Sequence, residues 1–107
     1  MAQEQTPEQA KRLLLHAELK TIAPNVYFQA PTNTSLQYPC IIYEMDDAET
    51  VFADDMPFRY EERYQIKIID RDPDTAIRSA VARLPKCRFD RHYVADNLHH
   101  YVYNLFF

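Results

Sequence analysis

The sequence contains no glycine and no tryptophan, and it has only two cysteines. The Gly-x-Gly-x-x-Gly turn and the Walker phosphate loop both need glycine to bring the backbone close to a phosphate, so nucleotide binding of these two kinds is excluded. Cys40 and Cys87 form no Cys-x-x-Cys pair, which argues against a zinc knuckle or a thioredoxin-type site. We expect them to be buried, reduced thiols. Turns are expected to use Asn, Asp and Pro in place of glycine.

Clustered positive charge and long apolar runs are also lacking. The formal net charge is −4, and no basic stretch of the kind that coats duplex DNA is present. No apolar run approaches the ~20 residues of a membrane-spanning helix. The segment Met1–Gln5 lacks the basic and apolar parts of a signal peptide. With 107 residues, of which 47% are hydrophobic, the sequence predicts one soluble, non-secreted domain spanning residues 1–107.

Two helices are predicted from their start signals. Thr6 and Pro7 are typical of a helix N-terminus, and we expect this helix to end near residue 21. Its predicted buried stripe consists of Ala10, Leu13, Leu14, Ala17 and Ile22. Asp72 is the predicted cap of a second helix, with Pro73 in the first turn. Its apolar stripe consists of Ala76, Ile77, Ala80, Val81 and Leu84.

Five strands are predicted, at residues 26–29, 39–45, 58–70, 86–94 and 98–107, with a loop at 30–38 between the first two. Residues 58–70 alternate between an apolar face and a charged face. The apolar face would hold Phe58, Tyr60, Tyr64, Ile66 and Ile68. The order of the elements predicts an α+β domain, with a mostly antiparallel five-stranded sheet and two helices packed on one face.

The register of the last two strands depends on the length of their loop. A three-residue loop, 95–97, would place Val94 opposite Leu98 and His92 opposite His100. This register collects aromatic residues on one face and is therefore favoured. That face would hold Cys87, Phe89, Tyr93, His99, Tyr101, Tyr103, Leu105 and Phe107.

An acidic connection at residues 46–55 precedes the longest strand. Its five carboxylates are those of Asp46, Asp47, Glu49, Asp54 and Asp55. We expect it to form a long hairpin tip, and a connection of this size in a small domain is often functional.

Two clusters have residue types that bind metals. Asp70, Asp72 and Asp74 are explained by strand-end, capping and first-turn roles. Asp90, His92 and His100 would share one side in the register above and form a plausible transition-metal set. Ser35 and Ser79 have no nucleophile motif around them. We expect no catalytic, cofactor-binding or metal-binding residue, and a small metal-dependent enzyme is kept as an alternative.

The surface of the sheet offers a different kind of site. The charged face of residues 58–70 is either simply solvated or meets another copy of the protein. The candidate contact residues are Arg59, Glu61, Arg63, Lys67 and Phe106. Phe106 is included because it points away from Leu105 and Phe107, which leaves a large ring available at the surface. A small adaptor domain that dimerises through this face is a further alternative.

The succession of segments resembles the small tail terminator (tail completion) proteins of long-tailed bacteriophages. The segments are 25–27, 38–44, the acidic hairpin, 64–74, 89–93 and the aromatic strand 98–107. The resemblance implies a non-enzymatic virion protein without a cofactor, which forms a homohexameric ring on the head-proximal end of the tail tube. The ring would stop tube polymerisation and offer a docking surface to the head connector or stopper protein. A head-closure or head–tail joining neck protein is the sibling alternative.

Under this resemblance, the acidic residues 46–55 would line the lumen or contact the tube. A negative lumen would repel phosphates and let DNA pass without specific binding. Arg59, Arg63 and Lys67 would meet acidic groups of a neighbouring copy. The protein would occur in the tail or neck of the virion, and in the host cytoplasm during assembly.

Overall fold

The computed structural model describes residues 5–30 and 35–107. Two helices and five strands follow one another in these residues, and the strands form one sheet with the order β1-β2-β3-β5-β4. The elements are α1 (Pro7–Lys20), β1 (Asn25–Phe28), β2 (Cys40–Ala53), β3 (Met56–Asp70), α2 (Ala76–Ala82), β4 (Cys87–Ala95) and β5 (Leu98–Phe106). The predicted α+β class with five strands is confirmed. Two parts of the sequence predictions lie outside the described residues: residues 31–34 of the predicted loop, and residues 1–4 of the segment that was compared with a signal peptide.

The sheet is mixed, so the expectation of a mostly antiparallel sheet was wrong. β1 pairs with β2 in parallel, from Asn25 opposite Cys40 to Phe28 opposite Tyr43, while β2–β3, β3–β5 and β4–β5 are antiparallel. A parallel pair needs a connection long enough to return the chain to the same end of the sheet. Residues 29–39 form that connection, and a composition rich in Pro, Thr and Asn does not reveal the direction of the return.

The first helix begins where the sequence indicates but buries a different side. The Thr6 hydroxyl accepts a hydrogen bond from the backbone N–H of Gln9 at 3.0 Å, as expected of an N-cap. Leu15 and Leu19 are fully buried, whereas Leu13 and Leu14 are exposed. The three consecutive leucines at 13–15 allow two different sides of the helix to be buried. The structure buries the side that contains Leu15 and continues through Ile22 and Ala23.

The second helix begins three residues later than predicted. Thr75 is its cap, and the Thr75 hydroxyl accepts from the N–H of Ile77 at 3.2 Å. Asp72 instead accepts from the N–H of Asp74 at 2.9 Å, in a turn that precedes the helix. Pro73 therefore lies before the helix and not in its first turn.

The hydrophobic core lies against one face of the sheet. Ile66 in β3 is opposite Tyr43 in β2 and Tyr103 in β5, so these side chains share a face. The same cluster includes Leu15 from α1 and Ile77 from α2. Its other buried members are Leu19, Ala23, Val26, Ile41, Tyr64, Ile68, Val81, Tyr101 and Leu105.

Both long hairpins close with two-residue turns made without glycine. Asp54 and Asp55 join β2 to β3, and Asp96 and Asn97 join β4 to β5, all four with φ between 52° and 63°. Two consecutive residues with positive φ form the tight turn that matches strand twist, and Asp and Asn tolerate it best after glycine. This confirms the expected use of Asp and Asn in turns.

The predicted three-residue loop was therefore wrong, and the register of the last hairpin shifts. Ala95 pairs with Leu98 and Val94 with His99. The two-residue turn also places His92 opposite Tyr101, whereas the bulge between Phe89 and Arg91 lies farther from the turn and brings Phe89 opposite Tyr103, as in the predicted register. A bulge adds one residue to one strand, which moves every following side chain to the other face.

Candidate functional site

The outer part of the β2–β3 hairpin projects beyond the rest of the sheet. β1 pairs with β2 only as far as Tyr43, and β5 pairs with β3 only as far as Arg63. The strand partners of residues 48–62 are therefore each other, apart from one backbone hydrogen bond that the N–H of Phe107 donates to the carbonyl of Glu62 at 3.1 Å, and we call residues 48–62 the ribbon. The six residues that β2 contributes, at ~3.4 Å each, give the ribbon a length of about 20 Å. The radius of gyration is 15.4 Å, compared with about 13 Å for a compact chain of this size.

Large apolar side chains are exposed along this ribbon. Phe52, Met56 and Phe58 are 64%, 67% and 74% exposed, and Tyr60 is exposed as well. The alternation in residues 58–70 predicts Phe58 and Tyr60 in the core, and for these two the prediction was wrong. They follow the strand's apolar pattern, but among the described residues the members of the hydrophobic core that β3 contributes begin at Tyr64. Large exposed apolar side chains that are close together make this ribbon a candidate interaction surface.

The predicted acidic residues divide between the tip and the root of the ribbon. Asp54 and Asp55 form the turn at the tip, and Glu49 lies in β2 opposite Glu61. At the root, Arg63 forms ion pairs with Asp46 at 3.0 Å and Asp47 at 3.7 Å. The connection is thus mostly strand, and its tip carries two carboxylates that form no ion pair with the described residues.

The charged residues predicted to meet another copy largely pair within the chain. Glu61 accepts a hydrogen bond from Lys86 at 2.5 Å, and this bond lowers the pKa of Glu61. Arg59 lies 3.9 Å from the same carboxylate, and Arg63 is held by the ribbon root. Lys67 is half-buried between Ile42 and Val102 on the neighbouring strands. Arg59 remains the most exposed of these cations.

A groove lies beside the root of the ribbon. It has a volume of about 360 Å³ and is formed by α1, the turn after α2 and the C-terminal end of β5. Its apolar lining includes Leu14 from α1 and Phe106 from β5. Phe106, expected to present a free ring, is half-buried here, while Leu14 is 65% exposed. The sequence analysis missed this groove, although three consecutive leucines are more than one helix stripe requires.

The histidines and aspartates proposed for a metal do not come together as predicted. His92 stacks on Tyr101 and lies 3.1 Å from His99 between ring nitrogens, whereas His100 stacks on Tyr93 on the opposite face. Asp90 lies at the bulge. Among residues 5–30 and 35–107, no group of three or more His, Cys, Asp or Glu side chains is placed to hold one ion.

Asp70 and Asp72 serve the local backbone. Their carboxylates accept from the N–H groups of Asp72 at 3.0 Å and Asp74 at 2.9 Å. These bonds order the turn that leads into α2, in agreement with the turn-forming interpretation of this segment.

The two cysteines are unpaired and differ in environment. Cys40 is fully buried in β2, where burial raises the pKa of its thiol to about 11. Cys87 is half-buried in β4, and burial raises its pKa as well. A raised pKa lowers the thiolate fraction, which makes both thiols poor nucleophiles at neutral pH.

Neither α1 nor α2, the helices found in the described residues, has the length and apolar character to cross a membrane.

Comparison with known proteins gives no family assignment. No protein-family model matches the sequence, and no curated protein matches it significantly.

Proposed function

We propose that this protein is a tail terminator of a long-tailed bacteriophage, a non-enzymatic virion protein that caps the head-proximal end of the tail tube as a homohexameric ring. Its partners are other copies of itself, the tail tube protein and the head connector or stopper protein. DNA passes through the ring without specific binding. The observation that carries the proposal is the ribbon, a 20 Å arm with apolar and acidic residues on a small domain. The similarity of the strand succession to tail terminators supports it.

The shape of the molecule suits a function by contact. A ring requires two different surfaces on each copy that meet at a fixed rotation. The ribbon and the rest of the domain supply two such surfaces, because they differ in shape and in exposed side chains. We take both helices to lie on the apolar face of the sheet, which leaves the opposite face for contacts. Leu15 of α1 and Ile77 of α2 in one hydrophobic cluster support that arrangement.

The acidic residues have separate roles in this proposal. Asp54 and Asp55, at the tip, contact a partner or face the lumen, where negative charge repels DNA phosphates. Asp46 and Asp47 hold Arg63 and so fix the angle of the ribbon at its root. Arg59 and Lys67 remain the candidates for pairing with a neighbour.

The experiment is tube capping, observed by negative-stain electron microscopy. Tail tube protein is polymerised with and without this protein, and tube length is measured. We expect the protein to shorten the tubes and to label one end of each tube. Replacing Phe52 and Phe58 by serine removes exposed ribbon side chains and should abolish capping. The matched control is Val94→Ser, which changes an exposed apolar residue at the opposite end of the sheet.

Two results would contradict the proposal. Tubes that grow to the same length with folded wild-type protein would exclude capping. Binding to the head connector in the absence of any effect on tubes would assign the protein to the head side of the neck.

A further inference from the structure

Two histidines on the β4–β5 hairpin bring their ring nitrogens together, and neither takes part in the proposed function. The register places His92 opposite Tyr101 and Val94 opposite His99, so the two histidines are diagonal neighbours on one face of the sheet. The Nε2 atom of His92 lies 3.1 Å from the Nδ1 atom of His99. We call His92 and His99 the histidine pair.

A buried tyrosine supports the histidine pair. The Tyr101 hydroxyl donates a hydrogen bond to the backbone carbonyl of Pro73 at 2.9 Å, and the Tyr101 side chain is part of the hydrophobic core. The His92 ring stacks on the Tyr101 ring, with the centroids 4.6 Å apart and an angle of 19° between the planes. His99 is also nearly parallel to Tyr101, at 13°. A fixed ring therefore orients the pair, while His92 is exposed and His99 is half-buried, which leaves both within reach of solvent.

The separation of the two nitrogens suits binding to one transition-metal ion. Zinc binds histidine nitrogen at ~2.0–2.1 Å, and neighbouring ligands of a tetrahedral or square-planar ion subtend about 90–110°. These values place two ligand nitrogens about 2.9–3.4 Å apart, and the observed 3.1 Å lies within that range. The nitrogens now share a hydrogen bond, so each lone pair must turn by about 40° to point at the ion. The last torsion of a histidine side chain has a broad energy minimum, which permits such a turn.

The donor set indicates the class of ion. Imidazole nitrogen suits copper, nickel and zinc, with Cu²⁺ bound most tightly, whereas Mg²⁺ and Ca²⁺ prefer oxygen ligands. Asp70 lies opposite His99 on β3, but its carboxylate accepts a hydrogen bond from the backbone N–H of Asp72. No third His, Cys, Asp or Glu in the described part of the chain is placed to join the pair. Arg78 lies over the Tyr101 ring at 4.8 Å, which also disfavours ions that bind chiefly through charge.

We propose that His92 Nε2 and His99 Nδ1 together bind one divalent transition-metal ion, with Cu²⁺ bound more tightly than Ni²⁺ or Zn²⁺. Water fills the other coordination positions. A bound ion links β4 to β5 beside the turn at Asp96 and Asn97, and so holds that end of the hairpin together. The site is separate from the ribbon and does not rest on the proposed function.

The first test is calorimetric titration of the metal-free protein with CuCl₂. We compare the wild type with His92→Gln and His99→Gln, and each variant leaves only one of the two ligands. Binding of a second ligand from the same chain adds affinity through its high effective concentration. We therefore expect each variant to bind Cu²⁺ at least about tenfold more weakly than the wild type.

The matched control is His100→Gln, which removes the histidine next to His99. His100 stacks on Tyr93 on the opposite face, so this variant should bind Cu²⁺ within about threefold of the wild type. Circular dichroism establishes that each variant is folded. Wild-type affinity in folded His92→Gln or His99→Gln would overturn the proposal, because it would show an adventitious ion only. An equal loss in His100→Gln would overturn it as well.

The second test uses the unmodified chain and so does not depend on the folding of variants. Paramagnetic Cu²⁺, added below one equivalent, broadens the amide signals of nearby residues in a nitrogen–proton correlation spectrum. We expect the strongest loss of signal at residues 91–93 and 98–100. Signals around His16 and at the ribbon tip, Asp54 and Asp55, should keep their intensity. Loss of signal centred at either of those places would overturn the proposal.

A third measurement checks the class of ion. Ni²⁺ and Zn²⁺ should bind the wild type more weakly than Cu²⁺, and Mg²⁺ at millimolar concentration should not displace any of the three. Displacement by Mg²⁺ would indicate oxygen ligands and overturn the assignment to the histidine pair. Tube capping is measured separately, so failure of this site and failure of the proposed function are distinct results.

Discussion

Leu15 and Leu14 are adjacent and identical, yet the structure gives them opposite environments. Leu15 is 0% exposed in the hydrophobic core, and Leu14 is 65% exposed beside the groove. Leu15→Ala removes buried carbon atoms and leaves a cavity, which costs about 3 kcal/mol in the free energy of unfolding, within the range of about 2.7–5 kcal/mol for such changes. Each kcal/mol lowers the melting temperature of a domain of this size by about 4–8 °C. We therefore expect Leu15→Ala to melt about 12–24 °C below the wild type.

The assay is urea unfolding followed by far-UV circular dichroism and tyrosine fluorescence, because the chain has eight tyrosines and no tryptophan. Leu14→Ala is the matched control and should change the free energy of unfolding by less than about 0.5 kcal/mol at dilute concentration. An equal or larger loss in Leu14→Ala would refute the orientation of α1. It would restore the helix stripe predicted from the sequence.

Three further predictions concern caps, turns and pH. Thr75→Ala should lower the free energy of unfolding by about 1 kcal/mol because it removes the cap of α2. Asp72→Ala affects only a turn before the helix and should lower it by less. Urea unfolding compares the two variants, and the opposite order would contradict the position of the cap. Asn97→Val should destabilise the fold by about 1–2 kcal/mol because a β-branched residue disfavours φ of 62°, and Asn97→Gly should not, which thermal melting measures. Burial lowers the pKa of His16, whose ring lies 2.8 Å from the Tyr43 hydroxyl, so the unfolded chain takes up the proton first as pH falls. We expect this contribution to the free energy of unfolding to be present above the ordinary histidine pKa of 6.5 and to be lost as the pH falls below it. Urea unfolding at a series of pH values measures this dependence, and His16→Gln should weaken it. An equally strong pH dependence in His16→Gln would refute the prediction.

The sequence predicts the number and order of the elements well because their signals are local. Thr6 and Pro7 start α1 as expected, and alternation in β3 correctly assigns the buried side from Tyr64 onward. The predictions that fail are those that depend on contacts between residues far apart in the sequence. Phe58 follows the same alternation as Ile66, but it is 74% exposed and lies outside the hydrophobic core cluster.

The candidate site is predicted only in part for the same reason. The acidic connection is correctly predicted to form part of a hairpin. The length of hairpin that projects beyond the sheet depends on where β1 and β5 end, which the sequence of the connection does not show. The predicted cluster fails because the two-residue turn pairs His100 with Tyr93 in place of His92, and because Asp90 lies at the bulge after Phe89. Neither shift can be recognised from the sequence of β4, because a strand of mixed polarity still shows an alternating pattern when one residue is added to it. The roles of Arg59, Lys67 and the tip carboxylates in binding stay predictions.

The hairpin of β2 and β3 is one continuous pair of strands, but its two halves have different neighbours. Near Ile41 and Ile68, each strand has a second strand on its outer edge, whereas near Thr50 and Tyr60 both edges are open. Amide hydrogens in the inner half exchange with solvent only when the whole domain unfolds, while those at the outer half exchange through local fraying. Deuterium uptake along a single hairpin would thus rise steeply beyond Arg63, and any partner that seats on the arm would slow that uptake there first.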